Sequence, residues 1–201
     1  MFISTAGFKR LIKEAYKGTG LRMGCTGDTF LIGGDYWIIE VLKDKIPKKE
    51  LGAIVELTGE LPTEETWFTS RDKEENQYEI TWPIKRPMQD CYDQDKDMTV
   101  TKVTLQYRTG QSARVLQDPK TLDVMLINEK FISMLDNSHI DYGAGEWTMD
   151  GAAAGPHAGV ILSNNFMEIQ ILPREDDDAE ELLKYLSNIE LPLQRDNIWT
   201  A

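Results

Sequence analysis

Apolar residues recur at helical spacing near the start of the chain. Four of them fall at i, i+3, i+4 and i+7 and so share one helix face: Phe8, Leu11, Ile12 and Ala15. Ser4 or Thr5 is placed to cap this helix, and Gly18 and Gly20 end it. The pattern predicts an amphipathic helix between residues 4 and 18.

Short apolar segments separated by glycines follow, and they are typical of strands. We predict three strands, Leu21–Gly24, Thr29–Ile32 and Tyr36–Leu42. A hairpin turn at Gly33–Asp35 joins the second strand to the third. Pro47 begins a second predicted helix, where its missing N–H has no cost, and Gly59 ends it. The predicted inward face of this helix consists of Leu51, Ile54, Val55 and Thr58.

Residues 61–98 have a less regular pattern. Tyr78, Ile80 and Trp82 alternate with polar neighbours and predict one strand. The charged segment Arg71–Gln77 predicts an exposed loop before that strand. We place the boundary between the two halves of the chain near residues 85–99.

Alternating apolar residues return in the second half of the chain. They predict strands around Val103–Tyr107, Arg114–Leu116 and Leu122–Leu126. A helix at Glu129–Leu135 and three or four further strands follow, ending at Phe166–Pro173. An acidic run then leads into a helix whose predicted inward face is Leu182, Leu183, Leu186 and Ile189.

These elements predict an α+β fold, with mainly antiparallel sheet and a few short amphipathic helices. We expect two α+β halves, residues 1–98 and 99–201, the second with the C-terminal helix, within one cooperative body. With 201 residues, the chain is long enough to bury a core without metal or disulfide support.

The order strand, helix and three strands occurs at Phe2–Leu42 and again at Leu122–Pro173, with the first strands at Phe2–Ser4 and Leu122–Ile127. This doubled pattern, with a second helix at Ile127–Leu135 and a close at Phe166–Pro173 followed by Arg174, resembles the repeating unit of DNA sliding clamps. The resemblance implies two β-α-β-β-β units, basic helix faces that line a ring around DNA, and an acidic outer surface.

The charge of the chain narrows the choice of partner. It has 34 acidic and 22 basic side chains, and its formal net charge is −12 at pH 7. Affinity for phosphate backbones comes largely from Lys and Arg that displace counterions, so a basic protein is favoured over free nucleic acid. Two acidic clusters are the predicted partner-binding residues: Asp90, Asp93, Asp95 and Asp97, and Glu175, Asp176, Asp177, Asp178, Glu180 and Glu181.

A basic surface is predicted within this acidic protein. The outer face of the first helix carries Lys9, Arg10, Lys13 and Lys17. A solvated helix face explains these residues most simply. The alternative is that they bind nucleic acid.

The sequence contains no pattern that identifies a catalytic, metal or cofactor site. Asp93–Asp97 has the spacing of a calcium loop, but Met98 stands where that loop needs glycine and Thr104 where it needs glutamate. His139 and His157 have no Cys or second His at a zinc spacing. We therefore expect no metal, no cofactor and no catalytic residue.

The cysteines and the apolar segments indicate a cytoplasmic protein. Cys25 and Cys91 are far apart and outside any C-x-x-C motif, which favours free thiols over a disulfide. No apolar run approaches the length of a membrane span, and the N-terminus has no signal-peptide core.

Trp199 lies near the C-terminal end of the sequence. Its side chain either anchors a partner or packs back onto the body of the protein.

Three functions follow from these patterns. The first is a non-enzymatic acidic protein of the phage or mobile-element type, which engages or inhibits a basic nucleic-acid-binding protein as a DNA mimic. The second is a clamp-like, DNA-encircling replication subunit that uses the basic helix face. The third is an enzyme whose site is assembled from separate loops.

Overall fold

The computed structural model describes residues 3–79, 97–135, 151–152, 160–164, 166–174 and 179–192. In these residues the helices α1 to α4 span Thr5–Lys17, Lys48–Thr58, Glu129–Ser133 and Glu180–Leu186. Strands β1 to β11 span Leu21–Thr26, Thr29–Gly33, Trp37–Leu42, Trp67–Ser70, Gln77–Glu79, Asp97–Gln106, Ser112–Gln117, Val124–Asn128, Gly151–Ala152, Val160–Asn164 and Met167–Ile171. A short 3-10 turn, Lys43–Lys45, lies between β3 and α2.

The strands form two antiparallel sheets. Seven strands have the order β10-β11-β3-β2-β1-β4-β5, and four have the order β8-β7-β6-β9. The predicted α+β fold with mainly antiparallel sheet is confirmed. Strand β11 pairs with β3, with Ile169 opposite Ile39, so the larger sheet contains strands from both predicted halves. Their boundary near residue 98 stays a prediction.

Helix α1 begins and ends as its sequence predicts. The side chain of Ser4 accepts a hydrogen bond from the Gly7 N–H, and the Gly18 N–H donates to carbonyl groups of the last turn. Of the strand predicted at Phe2–Ser4, Phe2 lies outside the described residues and Ser4 caps α1. Ile3 forms a single bridge with Leu135, because the chain turns into the helix at the Ser4 cap.

Two apolar clusters hold the elements together. The main cluster contains side chains of α1, α2, α3, the larger sheet and one face of the smaller sheet. The opposite face of the smaller sheet packs against α4 and Leu191. Adjacent residues of a strand point to opposite faces, so Leu116 belongs to the main cluster and Val115 to the second. Helices α1 and α4 therefore lie on opposite sides of the four-stranded sheet.

The inward face of α4 is narrower than predicted. Leu183 and Leu186 pack against the sheet, but Leu182 and Ile189 are 43% and 39% exposed. A helix of seven residues buries one narrow side, and Leu182 lies about 100° away from Leu183 around the axis. Ile189 follows the end of the helix, and Leu191 takes the inward position.

Helix α2 also has a rotated inward face. Val55 was predicted to be inward, but its side chain is exposed. Glu50 and Ala53 are buried in its place, because α2 packs against α1 as well as against the sheet. Ile54 is fully buried, as predicted.

The region after α2 contains a strand that the sequence pattern does not predict. Strand β4 pairs with β1, and β5 pairs with β4. Strand β5 overlaps the predicted strand at Tyr78 but begins at Gln77, the last residue of the predicted loop. Ile80 and Trp82 lie outside the described residues. Tyr78 and Asn76 both donate hydrogen bonds to Glu60, and these bonds lower the pKa of the Glu60 carboxyl group. This contact ties β5 to the end of α2.

None of the described helices combines the length and the apolar character that a membrane-spanning helix needs. The longest is α1, with 13 residues. A transmembrane helix requires about 20 predominantly apolar residues.

Candidate functional site

The exposed face of α1 carries a group of basic side chains, which we call the basic stripe: Lys9, Arg10, Lys13 and Lys17. All four are exposed, as the sequence predicts. At 3.6 residues per turn they fall within an arc of about 100° and extend about 12 Å along the helix axis. None of them forms an ion pair with another described residue. Their charge is therefore available to an anionic partner.

The one acidic residue of α1 does not offset this charge. Glu14 lies at the edge of the stripe, and its Oε2 atom accepts a hydrogen bond from Lys130 Nζ at 2.9 Å. Lys130 belongs to α3, so this pair joins the first and third helices across the surface. The carboxylate of Glu14 is satisfied by Lys130, and the stripe keeps its positive potential.

Helices α1 and α2 lie side by side and run in the same direction. At their starts, Thr5 Oγ1 donates a hydrogen bond to Glu50 Oε1 at 2.6 Å. At their ends, both contact the loop of residues 71–76, because the carbonyl groups of Tyr16 and Thr58 accept hydrogen bonds from it at 3.1 and 2.9 Å. The first turn of α2 is thus fixed beside the start of α1.

This arrangement adds two lysines to the basic surface. Lys48 and Lys49 are exposed in the first turn of α2. A lysine is unfavourable there, since the N-terminal end of a helix carries partial positive charge. Pro47 has no side-chain acceptor for the N–H groups of the first turn, although its carbonyl group accepts from the Glu50 and Leu51 N–H groups. An anion bound near Lys48 and Lys49 would be stabilised by both lysines and by the helix end.

The charges of the whole chain are distributed unevenly. Residues 1–50 contain nine Lys or Arg and six Asp or Glu, whereas residues 51–201 contain 13 and 28. The first segment therefore has a net charge of +3 and the remainder −15. The basic stripe therefore belongs to a positive segment of an acidic protein.

Most of the predicted acidic partner-binding residues lie outside the described residues: Asp90, Asp93, Asp95, Glu175, Asp176, Asp177 and Asp178. Asp97 begins β6, and its backbone alone is described. Glu180 and Glu181 are exposed in the first turn of α4. Of the ten predicted acidic residues, the structure therefore brings this pair together on one surface.

Helix α4 carries one basic residue that compensates part of its negative charge. Lys184 Nζ donates a hydrogen bond to Glu180 Oε1 at 2.5 Å. This hydrogen bond, and then the lysine charge, lower the pKa of Glu180. Glu181 and Glu190 are exposed on the same segment and form no described ion pair.

Metal-binding side chains do not converge in the described part of the chain. No three His, Cys, Asp or Glu side chains there are placed to hold a metal ion. Cys25 is a buried free thiol, and a hydrogen bond with its side chain is the main cause that raises the pKa of Lys43. His139, His157 and Cys91 lie outside the described residues.

The sequence pattern identifies the basic stripe but not its extension onto α2. The sequence signal for this extension is the pair Lys48-Lys49 directly after Pro47. The pair becomes part of the basic surface only when the starts of α1 and α2 are known to lie together.

Comparisons with protein-family models, with curated protein sequences and with solved structures found no match for this chain.

Proposed function

We propose that this chain is a non-enzymatic DNA-associated subunit that binds the phosphate backbone of duplex DNA through the basic stripe. The observation that carries this proposal is the set of four exposed basic side chains within one arc of α1, without described ion-pair partners. This surface is fully described, whereas most of the predicted acidic surface is not. The resemblance to sliding clamps, in which basic helix faces surround DNA, supports the same function.

The size and charge of the stripe fit contacts with phosphates. Duplex DNA carries about one negative charge per 1.7 Å of its axis, so a stripe of about 12 Å spans several phosphates. Lys and Arg displace condensed counterions from such a backbone and gain affinity that falls with salt. The rest of the chain has a net negative charge, which disfavours DNA binding outside the basic surface.

The double variant Lys9→Glu/Lys13→Glu is expected to lower the affinity for a fluorescein-labelled duplex more than tenfold at about 50 mM salt, because it replaces attraction with repulsion on the stripe. Fluorescence anisotropy measures the dissociation constant. Neutral variants at the same positions, Lys9→Gln and Lys13→Gln, should each reduce the slope of log affinity against log salt by about one.

The matched control replaces two exposed basic residues of the smaller sheet's loops, in the double variant Arg108→Glu/Lys120→Glu. Both double variants change the net charge from −12 to −16, so a general charge effect acts equally on them. The proposal requires binding to fall for the stripe variant and to stay within about threefold for the control. Equal losses would show that net charge alone governs binding and would overturn it.

The first turn of α2 provides a prediction in which stability and binding change in opposite directions. The variant Lys48→Glu/Lys49→Glu is expected to raise the free energy of unfolding by about 0.5 to 2 kcal/mol, since acidic residues are favourable at a helix start. The same variant should weaken duplex binding. Urea unfolding and anisotropy on one preparation measure both changes, and tighter or unchanged DNA binding would exclude these lysines from the interface.

A second candidate function is supported by a different surface. Glu180 and Glu181 are exposed on α4, on the side of the smaller sheet opposite α1. We propose that this acidic surface engages a basic, nucleic-acid-binding protein. Retention of such a protein at low salt and its release at high salt would support this candidate, and retention that is insensitive to salt would contradict it.

A further inference from the structure

Helix α4 carries apolar side chains that the protein leaves in solvent. Leu182, Tyr185 and Ile189 are 43%, 64% and 39% exposed. We call these three residues the apolar ridge. Large apolar side chains grouped on one surface mark an interaction site more often than scattered ones do. The inward side of α4 is already filled by Leu183 and Leu186.

The three side chains of the ridge are aligned along one direction. Leu182 and Tyr185 are three residues apart on α4, and Ile189 lies seven residues after Leu182. Helical turns continue past the end of α4, because the N–H groups of residues 187 to 189 donate to carbonyl groups three or four residues earlier. Positions i, i+3 and i+7 form the ridge that packs against another helix.

The ridge is held rigidly on the sheet. The side chain of Gln117 on β7 donates to the carbonyl groups of Leu186 and Ile189 and accepts from the Leu191 N–H at 2.8 Å. These hydrogen bonds fix the last turn of the segment. A partner therefore meets a preorganised surface and loses less entropy on binding.

The charges of this segment of the sequence select the kind of partner. Between residues 175 and 190 the sequence has seven acidic residues and one basic residue, Lys184. Lys184 is already paired with Glu180, and Glu181 is exposed next to Leu182. An anionic membrane surface or a nucleic acid would be repelled by these charges, whereas a basic segment would be attracted.

The described basic surface of a second copy does not match the ridge. It consists of the stripe on α1 with Lys48 and Lys49 of α2, where Val55 is the one exposed large apolar residue and α1 has none. The charged ends of lysine and arginine side chains would not provide apolar contacts for Leu182, Tyr185 and Ile189. The ridge requires a partner with apolar anchors and basic flanks on the same segment.

We infer that the apolar ridge of α4 is a docking site for a basic amphipathic helix of a partner protein. The large aliphatic side chains of the partner helix pack against Leu182, Tyr185 and Ile189, and its Lys or Arg side chains face Glu181 and Glu190. This inference deepens the second candidate function and is independent of DNA binding by α1. One molecule can then contact DNA and a protein from opposite sides of its four-stranded sheet.

The test uses the full chain and a synthetic fluorescein-labelled peptide with leucine at heptad positions a and d and lysine at e and g. Fluorescence anisotropy should show binding that weakens as salt rises. The variant Leu182→Ser/Tyr185→Ser is expected to lower peptide affinity about tenfold or more, since it removes two of the three anchors. Glu181→Lys should lower affinity as well.

The matched control substitutes two other exposed apolar residues, in the variant Tyr36→Ser/Leu172→Ser. Their side chains are 65% and 40% exposed, so the change in surface hydrophobicity is similar. Peptide affinity should stay within about twofold of the unmodified chain in this control. Equal effects of both variants would overturn the inference, as would equal binding of a peptide with the same composition but dispersed leucines.

Two further outcomes would assign the ridge to another occupant. Light scattering after size-exclusion chromatography would show concentration-dependent association that the Leu182→Ser/Tyr185→Ser variant abolishes, if a second copy covers it. No binding of the peptide by the full chain would show that the ridge is already covered. Both results overturn the inference. Peptide binding that survives in Lys9→Glu/Lys13→Glu, with DNA binding lost, separates the two surfaces.

Discussion

Replacing Gly7 with alanine is expected to lower the free energy of unfolding by about 3 kcal/mol, although alanine favours helices more than glycine does. A Cβ atom at Gly7 would overlap Met134 Cβ and would lie 3.2 Å from Met134 Cα. The Ser4 N–H donates to the Met134 carbonyl group at 2.8 Å, so the two segments cannot separate without losing this bond. The new methyl group would also lie 2.9 Å from the Ser4 hydroxyl oxygen that caps α1. Urea unfolding monitored by circular dichroism measures the loss.

Gly52 provides a matched control, since it is also a glycine inside a helix. It is exposed on α2, and no atom lies within 4 Å of a Cβ built at this position. Gly52→Ala should therefore raise the free energy of unfolding by about 0.5 to 1 kcal/mol. Equal stability of Gly7→Ala and Gly52→Ala would contradict the close approach of α1 to the end of α3.

Local patterns predict the elements that are specified by their own residues. Helix α1 is the clearest case, because one periodicity places Phe8 and Ile12 inside and Lys9 and Lys13 outside. Strand β4 was missed because its last two residues, Thr69 and Ser70, are polar although both are buried. Strand patterns favour apolar residues at buried positions, so a buried polar pair resembles a loop.

Contacts between distant residues could not be predicted in this way. Glu50 is 2% exposed, yet in sequence it is an ordinary acidic residue of a first helical turn. It is buried because Thr5, 45 residues earlier, meets it across the two helices. The same contact brings Lys48 and Lys49 beside the basic stripe. The site was therefore half predictable: its residues on α1 follow from periodicity, and those on α2 require the packing of the helices.

On the acidic surface, the residues that the sequence did not predict are apolar. The sequence predicts partner binding from charge, and the structure adds the apolar ridge because α4 is too short to bury Leu182. Charge alone attracts many partners weakly, whereas buried apolar anchors contribute most of the affinity in an interface. The proposed selectivity of this surface therefore depends on Leu182, Tyr185 and Ile189 more than on the number of carboxylates.

Replacing Gln117 with glutamate is expected to lower the free energy of unfolding by about 3 kcal/mol at pH 7. Gln117 is 1% exposed, and its Nε2 atom faces the carbonyl oxygens of Leu122, Leu186 and Ile189 at 3.3, 3.4 and 2.9 Å. A glutamate would place a carboxylate oxygen against these three acceptors, without a proton to donate. Burial and this repulsion should raise the folded-state pKa of the new carboxyl group above its usual value.

The pH dependence separates this effect from a simple loss of packing. A raised folded-state pKa means that the penalty is absent below the unfolded-state pKa and grows as pH rises toward the folded-state value. The difference in unfolding free energy between Gln117→Glu and the unmodified chain should therefore be small at about pH 4 and reach about 3 kcal/mol at pH 7. Gln106→Glu, at an exposed position on β6, is the matched control and should change stability by less than about 0.5 kcal/mol at either pH. A pH-independent loss at Gln117 would mean that its amide fills space in this sheet without holding α4 through hydrogen bonds, and the rigid support of the apolar ridge would then have to come from Leu183 and Leu186 alone.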